Sequence, residues 1–316
     1  MSETAILWTG FSLFVLGMLA LDLGVFHRKS HSVGVREALT WTAVWIALAM
    51  IFNLFIYHYF DKEKALEFFT AYLIEKSLSI DNIFVFILIF TFFRIHSDHI
   101  ARALLIGILM AIVFRVIFIT VGVVLVERFN WLLYIFGAFL VYTGIKIFTV
   151  KHEEEYDPSA NPVYKFLNRF LPIIHEDVSG KMWITQNGKR LYTNMFLVVV
   201  MLATTDIVFA LDSIPAVFAI VTESPNKELI IYTSNIFAVL GLRSLYFLLR
   251  GAVDRFQYLQ QGIAIVLIFI GLKMLVPLVI KGFHVPVTIS LVVIVVCLGG
   301  SILYSIQASK QEEDRI

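Results

Sequence analysis

The sequence has a single cysteine, Cys297, and few charged residues. Charged side chains make up 16% of the 316 residues, whereas 59% of the residues are hydrophobic. One cysteine excludes a disulfide within the chain. So low a charge content, together with so many apolar residues, excludes an ordinary soluble domain and is typical of a polytopic membrane protein. The net charge of +1 gives no indication of a nucleic-acid partner, and we expect none.

Motifs of the common enzyme classes are also missing. The sequence contains no phosphate-binding loop, no HExxH-like metal motif and no nucleophile with a positioned base. Ser213 follows Asp212, but no histidine accompanies them in that apolar segment. We therefore expect no enzymatic activity and no permanently bound cofactor. The eight histidines lie in predicted loops or at the ends of apolar segments, at positions 27, 31, 58, 96, 99, 152, 175 and 284.

Long apolar runs are abundant. Windows of roughly 20 to 28 mostly apolar residues, each long enough to cross about 30 Å of hydrocarbon as a helix, occur nine times. We predict an all-α polytopic membrane protein with about nine transmembrane helices. The first window has no basic start and no small-residue cleavage pattern, so we expect it to be retained and not removed as a signal peptide. The predicted spans are 5–26, 39–60, 69–93, 101–126, 130–149, 194–221, 229–249, 258–280 and 286–306.

The distribution of basic residues predicts the orientation of the chain. With the N-terminus outside, the inside segments carry 15 Lys and Arg residues and the outside segments carry 5. Because cytoplasmic loops carry an excess of these residues, we predict an outside N-terminus and a cytoplasmic C-terminus. The chain then divides into residues 1–149 with helices one to five, a cytoplasmic loop at 150–193, residues 194–306 with helices six to nine, and a cytoplasmic tail at 307–316.

The predicted cytoplasmic loop has two local patterns. Apolar residues recur at helical spacing from Val163 to Ile174, which predicts a short helix on the membrane surface, broken near Pro172. The dipeptide Asn187-Gly188 lies between two short runs and predicts a β-hairpin.

An internal repeat relates two parts of the membrane region, about 69–149 and about 194–280. A unit of three helices must cross the membrane in opposite senses in its two copies. Such inverted repeats place a substrate site near the bilayer midplane, between the halves. The residues that carry the match are Glu75 with Asp206, Asp81 with Asp212 and Asn82 with Ser213 at an offset of 131 residues, Arg115 with Arg243 at 128, and Gly144 with Gly271 and Lys146 with Lys273 at 127.

Five acids and five bases fall within the predicted spans. A charge at the centre of a membrane helix costs about 2.5–3.5 kcal/mol on insertion scales, so each requires a partner, a cavity or a function. Carboxylate, amide and hydroxyl oxygens suit hard cations such as Mn²⁺, Mg²⁺ or Ca²⁺, whereas Zn²⁺ and Cu⁺ prefer nitrogen and sulfur. Paired acids also titrate, so protons could exchange with the metal. The predicted metal ligands are Asp81, Asp212, Glu75, Asp206, Asn82, Ser213 and Asp22.

The bases admit two interpretations. Arg115, Arg243 and Lys76 either pair with the acids to hold the bundle together, or balance the charge of an empty site and gate it. On an undistorted helix, acids six positions apart face about 120° from one another, so all four paired acids meet only if the helices are distorted. Pro215 predicts such a distortion in the second copy, because it lacks an N–H and would free the carbonyl of Leu211.

Five stretches of the chain carry distinctive motifs: LDLGVFHRKSH (21–31), AYLIEKSLSIDNIFVF (71–86), YIFGAFLVYTGIKI (134–147), TTDIVFALDSIPAVFAI (204–220) and SNIFAVLGLRSLYFLL (234–249). In these motifs the sequence resembles the TerC family of bacterial integral membrane proteins, part of the broader LysE-type exporter group. The resemblance covers about residues 8 to 305 and implies export of Mn²⁺ from the cytoplasm across the inner membrane. Family members often carry a Glu three residues before the acid that matches Asp206. Here that position is Ala203, so this chain has one carboxylate fewer.

Two other functions stay open. One is a membrane factor that transports nothing and assists metal loading or insertion of other proteins, with the 150–193 loop as its docking surface. The other is export of a different small cation. The expected partners are membrane lipid, Mn²⁺ or a similar divalent cation, and protons, and the sequence leaves the oligomeric state open.

Overall fold

The computed structural model describes residues 8–18, 34–129, 131–149, 159, 161–176, 178–186, 188–221, 226–250, 258–280 and 285–313. Most of these residues are helical. The helices are α1 (Trp8–Met18), α2 (Val35–Tyr59), α3 (Lys62–Phe92), α4 (Ser97–Arg128), α5 (Leu132–Thr149), α6 (Pro162–Phe170), α7 (Asn194–Phe218), α8 (Lys227–Leu240), α9 (Leu242–Leu249), α10 (Leu259–Val279) and α11 (Val287–Glu313). The strands are β1 (Ile173–Ile174), β2 (Trp183–Gln186) and β3 (Lys189–Thr193).

Several helices are long and apolar enough to cross a membrane, as expected of a polytopic membrane protein. α2, α4, α7, α10 and α11 qualify singly, and α8 with α9 makes a sixth span that is bent by 42°. α3 has 31 residues, but Glu75, Lys76 and Asp81 interrupt its apolar run. The apolar part of α5, Leu132–Phe148, is too short to qualify. Within the described ranges, length and composition thus support five or six spans, fewer than the predicted nine.

Helix continuity differs from the prediction at two places. α7 runs unbroken through Pro215, so the predicted unwinding beside Leu211 is wrong. The break occurs instead at Gly241, between α8 and α9, inside the predicted span 229–249. A Cβ at Gly241 would lie 2.8 Å from Lys76 Nζ and 3.1 Å from Trp45 Cβ, so a side chain there would crowd both residues.

The closest helix packing joins α5 to α10, and glycines make it possible. A Cβ at Gly144 of α5 would lie 2.7 Å from the carbonyl oxygen of Ala264 in α10. A Cβ at Gly271 of α10 would lie 2.5 Å from the carbonyl oxygen of Gly137 in α5. Small residues of this kind let membrane helices approach backbone to backbone.

The core lies among α3, α4, α7, α8 and α9. α3 packs against α7 and α8, and α4 packs against α7. The largest fully buried side chains include Tyr246 of α9, Phe68 of α3 and Phe237 of α8. These helices therefore surround the middle of the bundle, where the charged residues of α3, α4 and α7 meet.

The segment between α5 and α7 carries a small three-stranded sheet, in which β2 and β3 form the predicted hairpin. β2 and β3 are antiparallel and pair Gln186 with Lys189, and Gly188 between them adopts a positive φ of 75°. The turn signal at 187–188 thus lies between these two strands. β1 adds parallel to the other edge of β3, and a two-residue strand of this kind has no sequence pattern of its own.

This segment packs on the turn between α3 and α4. Asn194 Nδ2 donates a hydrogen bond to the carbonyl oxygen of Phe93 at 3.0 Å, and the rings of Phe93 and Tyr164 lie 5.7 Å apart. Arg102 Nη1 also donates to the carbonyl oxygen of Gly180 at 3.3 Å. The α3–α4 turn, the start of α7 and the 161–193 segment therefore lie at one end of the bundle.

Candidate functional site

The guanidinium of Arg115 joins an acid of α3 to an acid of α7. Nε and Nη2 donate to the two carboxylate oxygens of Asp206, each at 3.1 Å, and Nη1 donates to Glu75 Oε2 at 2.5 Å. The exposed fractions are 2% for Arg115, 0% for Glu75 and 2% for Asp206. A bidentate pair and a second carboxylate, all out of water, form a strongly coupled ion cluster.

The three charged residues lie deep within their helices. Each is at least 12 residues from either end of its helix, which corresponds to about 18 Å at 1.5 Å per residue. In a bundle of membrane-spanning length this depth is close to the middle of the apolar layer. Little water reaches charges at this depth, so most of their stabilisation must come from one another.

A fourth residue completes the cluster, and sequence reasoning missed it. Asn235 of α8 is fully buried, and its Oδ1 accepts a hydrogen bond from Arg115 Nη1 at 2.9 Å. The signal for it is one amide in the apolar run SNIFAVLG, a pattern that also suits an ordinary core residue. With Asn235 counted, the oxygens around Arg115 come from three side chains on three helices. Two of these side chains are carboxylates, so ionised acids at both positions carry one negative charge more than the guanidinium neutralises.

Several buried oxygens of α3 and α7 have no hydrogen-bond partner among the described residues. Glu75 Oε1 is one, and Asn82 Oδ1 and Ser213 Oγ, at matched positions of the two predicted repeats, are two others. Asn82 is 2% exposed and Ser213 is 1% exposed. Leaving a buried polar group unsatisfied costs about 1–3 kcal/mol, so oxygens of this kind indicate a place for water or a cation.

Asp212, the second acid of α7, contacts α5. It is half-buried on α7 and accepts a hydrogen bond from the hydroxyl of Thr143 in α5 at 3.2 Å. Because α7 stays helical, residues six positions apart face different neighbours, and Asp206 and Asp212 do so. The structure therefore brings Glu75 and Asp206 together on Arg115, and Asp212 accepts its hydrogen bond from α5.

The remaining predicted residues divide into described and undescribed ones. Asp22 lies outside the described residues, and so does the side chain of Asp81, whose backbone belongs to α3. Ala203 is buried in α7, three residues before Asp206. Among the described residues, no three His, Cys, Asp or Glu side chains are grouped so as to hold a metal ion.

The other two predicted gating bases are also buried. Lys76, next to Glu75, donates from Nζ to the carbonyl oxygen of Ala238 at 3.1 Å, at the end of α8. The negative end of a helix dipole and a free terminal carbonyl favour a cation there. Arg243 lies in α9 with 4% of its surface exposed. Basic groups thus lie on both sides of the α8–α9 break.

A small cavity lies beside the cluster, on the side of the α3–α4 turn. Its volume is about 10 Å³, which is room for about one water molecule. Asp206 is its charged lining residue, and Phe86, Leu104, Gly107 and Leu202 are among the apolar ones. On α3, α4 and α7 these apolar residues lie between the cluster and the end of the bundle that carries the α3–α4 turn.

Comparison with known proteins gives one family. The model of the integral membrane protein TerC family matches residues 60–313. An uncharacterized membrane protein of Myxococcus xanthus is 45% identical over 304 residues, which cover 96% of this chain and 93% of that protein. The Escherichia coli K12 protein named "Putative membrane-bound redox modulator Alx" is 39% identical over 300 residues, covering 92% of this chain and 91% of that protein. No solved structure matches.

Proposed function

This chain belongs to the TerC family of integral membrane proteins, and we propose that it is a secondary transporter that exports divalent manganese from the cytoplasm in exchange for protons. The observation that carries the proposal is the meeting of Glu75 and Asp206 on Arg115, deep in the apolar layer. Two carboxylates held there at a cost of several kcal/mol require a function, and binding a cation supplies one.

We propose that α3–α4–α5 and α7–α8/α9–α10 are the two copies of the predicted inverted repeat. The sequence offset of 127 residues pairs Gly144 with Gly271 and Gly137 with Ala264. The close contacts of Gly144 with Ala264 and of Gly271 with Gly137 support this proposal, because a two-fold relation with that pairing would turn each contact into the other. Secondary transporters use such halves to expose a midplane site alternately to the two sides of the membrane.

The oxygens available at the cluster favour a hard divalent cation. Carboxylate, amide and hydroxyl oxygens are the ligands of Mn²⁺, Mg²⁺ and Ca²⁺. In this arrangement Arg115 acts as a tethered cation that neutralises one of the two negative charges. When its guanidinium withdraws, a divalent ion neutralises both, and the unsatisfied Oε1 of Glu75 is at hand as a further ligand.

The position of the cavity supports export from the cytoplasm. The cavity beside Asp206 lies on the side of the cluster toward the end of the bundle that carries the α3–α4 turn and the 161–193 segment. The 161–193 segment carries five Lys and Arg residues, the turn carries Arg94, and both are predicted to be cytoplasmic. We therefore propose a bacterial inner-membrane location with a cytoplasmic C-terminus, and entry of the ion from this end.

Proton exchange follows from the same carboxylates. When the cation is released to the outer side of the membrane, the negative charge of the two acids is left in a medium of low dielectric constant, and protonation neutralises it. The protonated site can then turn back toward the cytoplasm without a metal ion. The proton gradient would in this way drive efflux.

Manganese efflux from loaded cells tests the proposal. Cells that express the parent protein should lose Mn²⁺ faster than cells without it, and Glu75→Gln and Asp206→Asn should abolish the difference. Asp98→Asn is the matched control, because Asp98 is an exposed acid at the start of α4. Immunoblots of the membrane fraction show whether each variant is present. Parent-like efflux by both acid variants would remove the cluster from the mechanism.

A docking function is the second candidate, and one surface favours it. α6 leaves the rings of Phe166 and Phe170 exposed, in contact at 4.7 Å, and Trp183 of β2 is half exposed. A factor that assists other membrane proteins would need such a surface and would move no ion in liposomes. Removal of the 159–193 segment would then abolish function while the acid variants retain it.

The redox role in the relative's name bears on the proposal in one way. This chain has one cysteine, so a thiol–disulfide reaction within it is excluded. A redox effect of this protein would then arise through the cellular concentration of the ion that it exports.

Export of a different small cation can be distinguished in liposomes. If excess Mg²⁺ or Ca²⁺ abolishes Mn²⁺ transport and is itself carried, the cargo is a different divalent cation.

A further inference from the structure

Asn235 lies where the two acids and the guanidinium meet. Its Oδ1 and Glu75 Oε2 both accept hydrogen bonds from Nη1 of Arg115, at 2.9 Å and 2.5 Å. A guanidinium only donates, so the amide must present its oxygen to Arg115 and direct its nitrogen away. That nitrogen donates no hydrogen bond to any described residue, although it is fully buried. Among the described residues, the side chain of Asn235 therefore has one hydrogen-bond partner, the guanidinium of Arg115.

We propose that Asn235 is a third ligand of the transported cation and sets how tightly the ion is held. The inference rests on the proposed export function. Glu75, Asp206 and Asn235 already present oxygens from α3, α7 and α8 to one positive group. A divalent ion that replaces the guanidinium meets the same three side chains.

A neutral third ligand suits an ion that has to leave again. Two carboxylates balance the charge of a divalent cation, and the amide oxygen then adds coordination without adding charge. A third carboxylate would leave a net negative site that releases the ion slowly. Transport requires binding that is favourable enough for entry and weak enough for release.

The position of Asn235 also makes the site asymmetric. At the offset of 128 residues that relates Arg115 to Arg243, Asn235 corresponds to Gly107. Gly107 has no side chain and lines the cavity beside Asp206. One half thus supplies a ligand at this position, and the other half supplies a glycine that packs against α7, where a Cβ would lie 3.2 Å from Leu202 Cβ.

Purified protein in proteoliposomes tests the role of Asn235, with Mn²⁺ itself as the probe. Asn235→Ala should raise the half-saturating Mn²⁺ concentration for transport at least about 10-fold, the loss that even outer-shell partners of a metal cause. Asn235→Asp should lower both the half-saturating concentration and the maximal rate, because the ion is held more tightly. Thr233→Val is the matched control, since the buried hydroxyl of Thr233 bonds only to carbonyl oxygens of its own helix in the recorded contacts.

Each outcome bears on one claim. Unchanged half-saturation in both Asn235 variants, with active parent protein, would overturn this inference and leave manganese export in place. Parent protein that carries no Mn²⁺ would overturn the proposed function, and this inference with it. If Asn235→Ala fails to fold, Asn235→Asp decides, because it has the same shape and keeps an oxygen toward Arg115.

Discussion

Replacement of Arg115 by glutamine should destabilise the protein strongly. The guanidinium makes four hydrogen bonds, two to Asp206, one to Glu75 and one to Asn235. Without it, two carboxylates that are at most 2% exposed lie side by side with no positive charge between them. Breaking a buried pair by removing one partner costs about 3–5 kcal/mol, and we expect a loss in this range.

Asp206→Asn should cost less than Arg115→Gln. It leaves the single pair of Arg115 and Glu75, which is neutral, so the loss should be nearer to about 1–3 kcal/mol for disrupted hydrogen bonds. The double variant should be more stable than the sum of the two single losses predicts, because it removes one charge of each sign. This coupling separates loss of the ion pair from simple damage to packing.

The free energy of unfolding can be measured by titrating SDS into mixed micelles and following helix content. Arg128→Gln is the matched control, because it is the same substitution at the exposed end of α4. It should leave the stability within about 0.5 kcal/mol of the parent. The reasoning would be refuted if Arg115→Gln behaved like Arg128→Gln, or if the double variant showed no coupling.

Two further predictions concern packing and the second acid of α7. Gly271→Ala should destabilise the α5–α10 contact by about 1–3 kcal/mol, because its Cβ would lie 2.5 Å from a backbone oxygen, whereas Gly299→Ala, with nothing within 4 Å, should not. Equal melting temperatures for these two variants would contradict the packing. Asp212→Asn keeps an oxygen for the hydroxyl of Thr143, so it should fold like the parent yet export Mn²⁺ at a rate lower by about 10-fold or more. Parent-like efflux would place Asp212 outside the ion path. Thr143→Val is the control that removes the hydrogen bond to Asp212 while leaving its charge in place.

The sequence predicts the long helices well where an apolar run is bounded by polar residues. The predicted span 194–221 corresponds to α7 at Asn194–Phe218, and the span 258–280 corresponds to α10 at Leu259–Val279. Hydropathy does not predict the break at Gly241, because the run through 229–249 is apolar on both sides of it. The distortion predicted at Pro215 is also wrong, because α7 continues as a helix through this proline.

The candidate site is only partly visible in the sequence. The intramembrane position of Glu75, Asp206 and Arg115 indicates that they need partners, and ion pairing among them was one of the two interpretations. Which acid meets which base depends on the rotation of each helix, and this is fixed by packing across the bundle. Asn235 carries no charge, so nothing in the insertion energy of its helix sets it apart from a core residue.

The location of bound manganese tests the central claim most directly. Crystals of the parent protein soaked in Mn²⁺ should give an anomalous peak between Glu75 and Asp206, within about 2.0–2.6 Å of their oxygens, with the guanidinium of Arg115 moved away. A peak remote from both acids, with Arg115 still bound to them, would contradict the account.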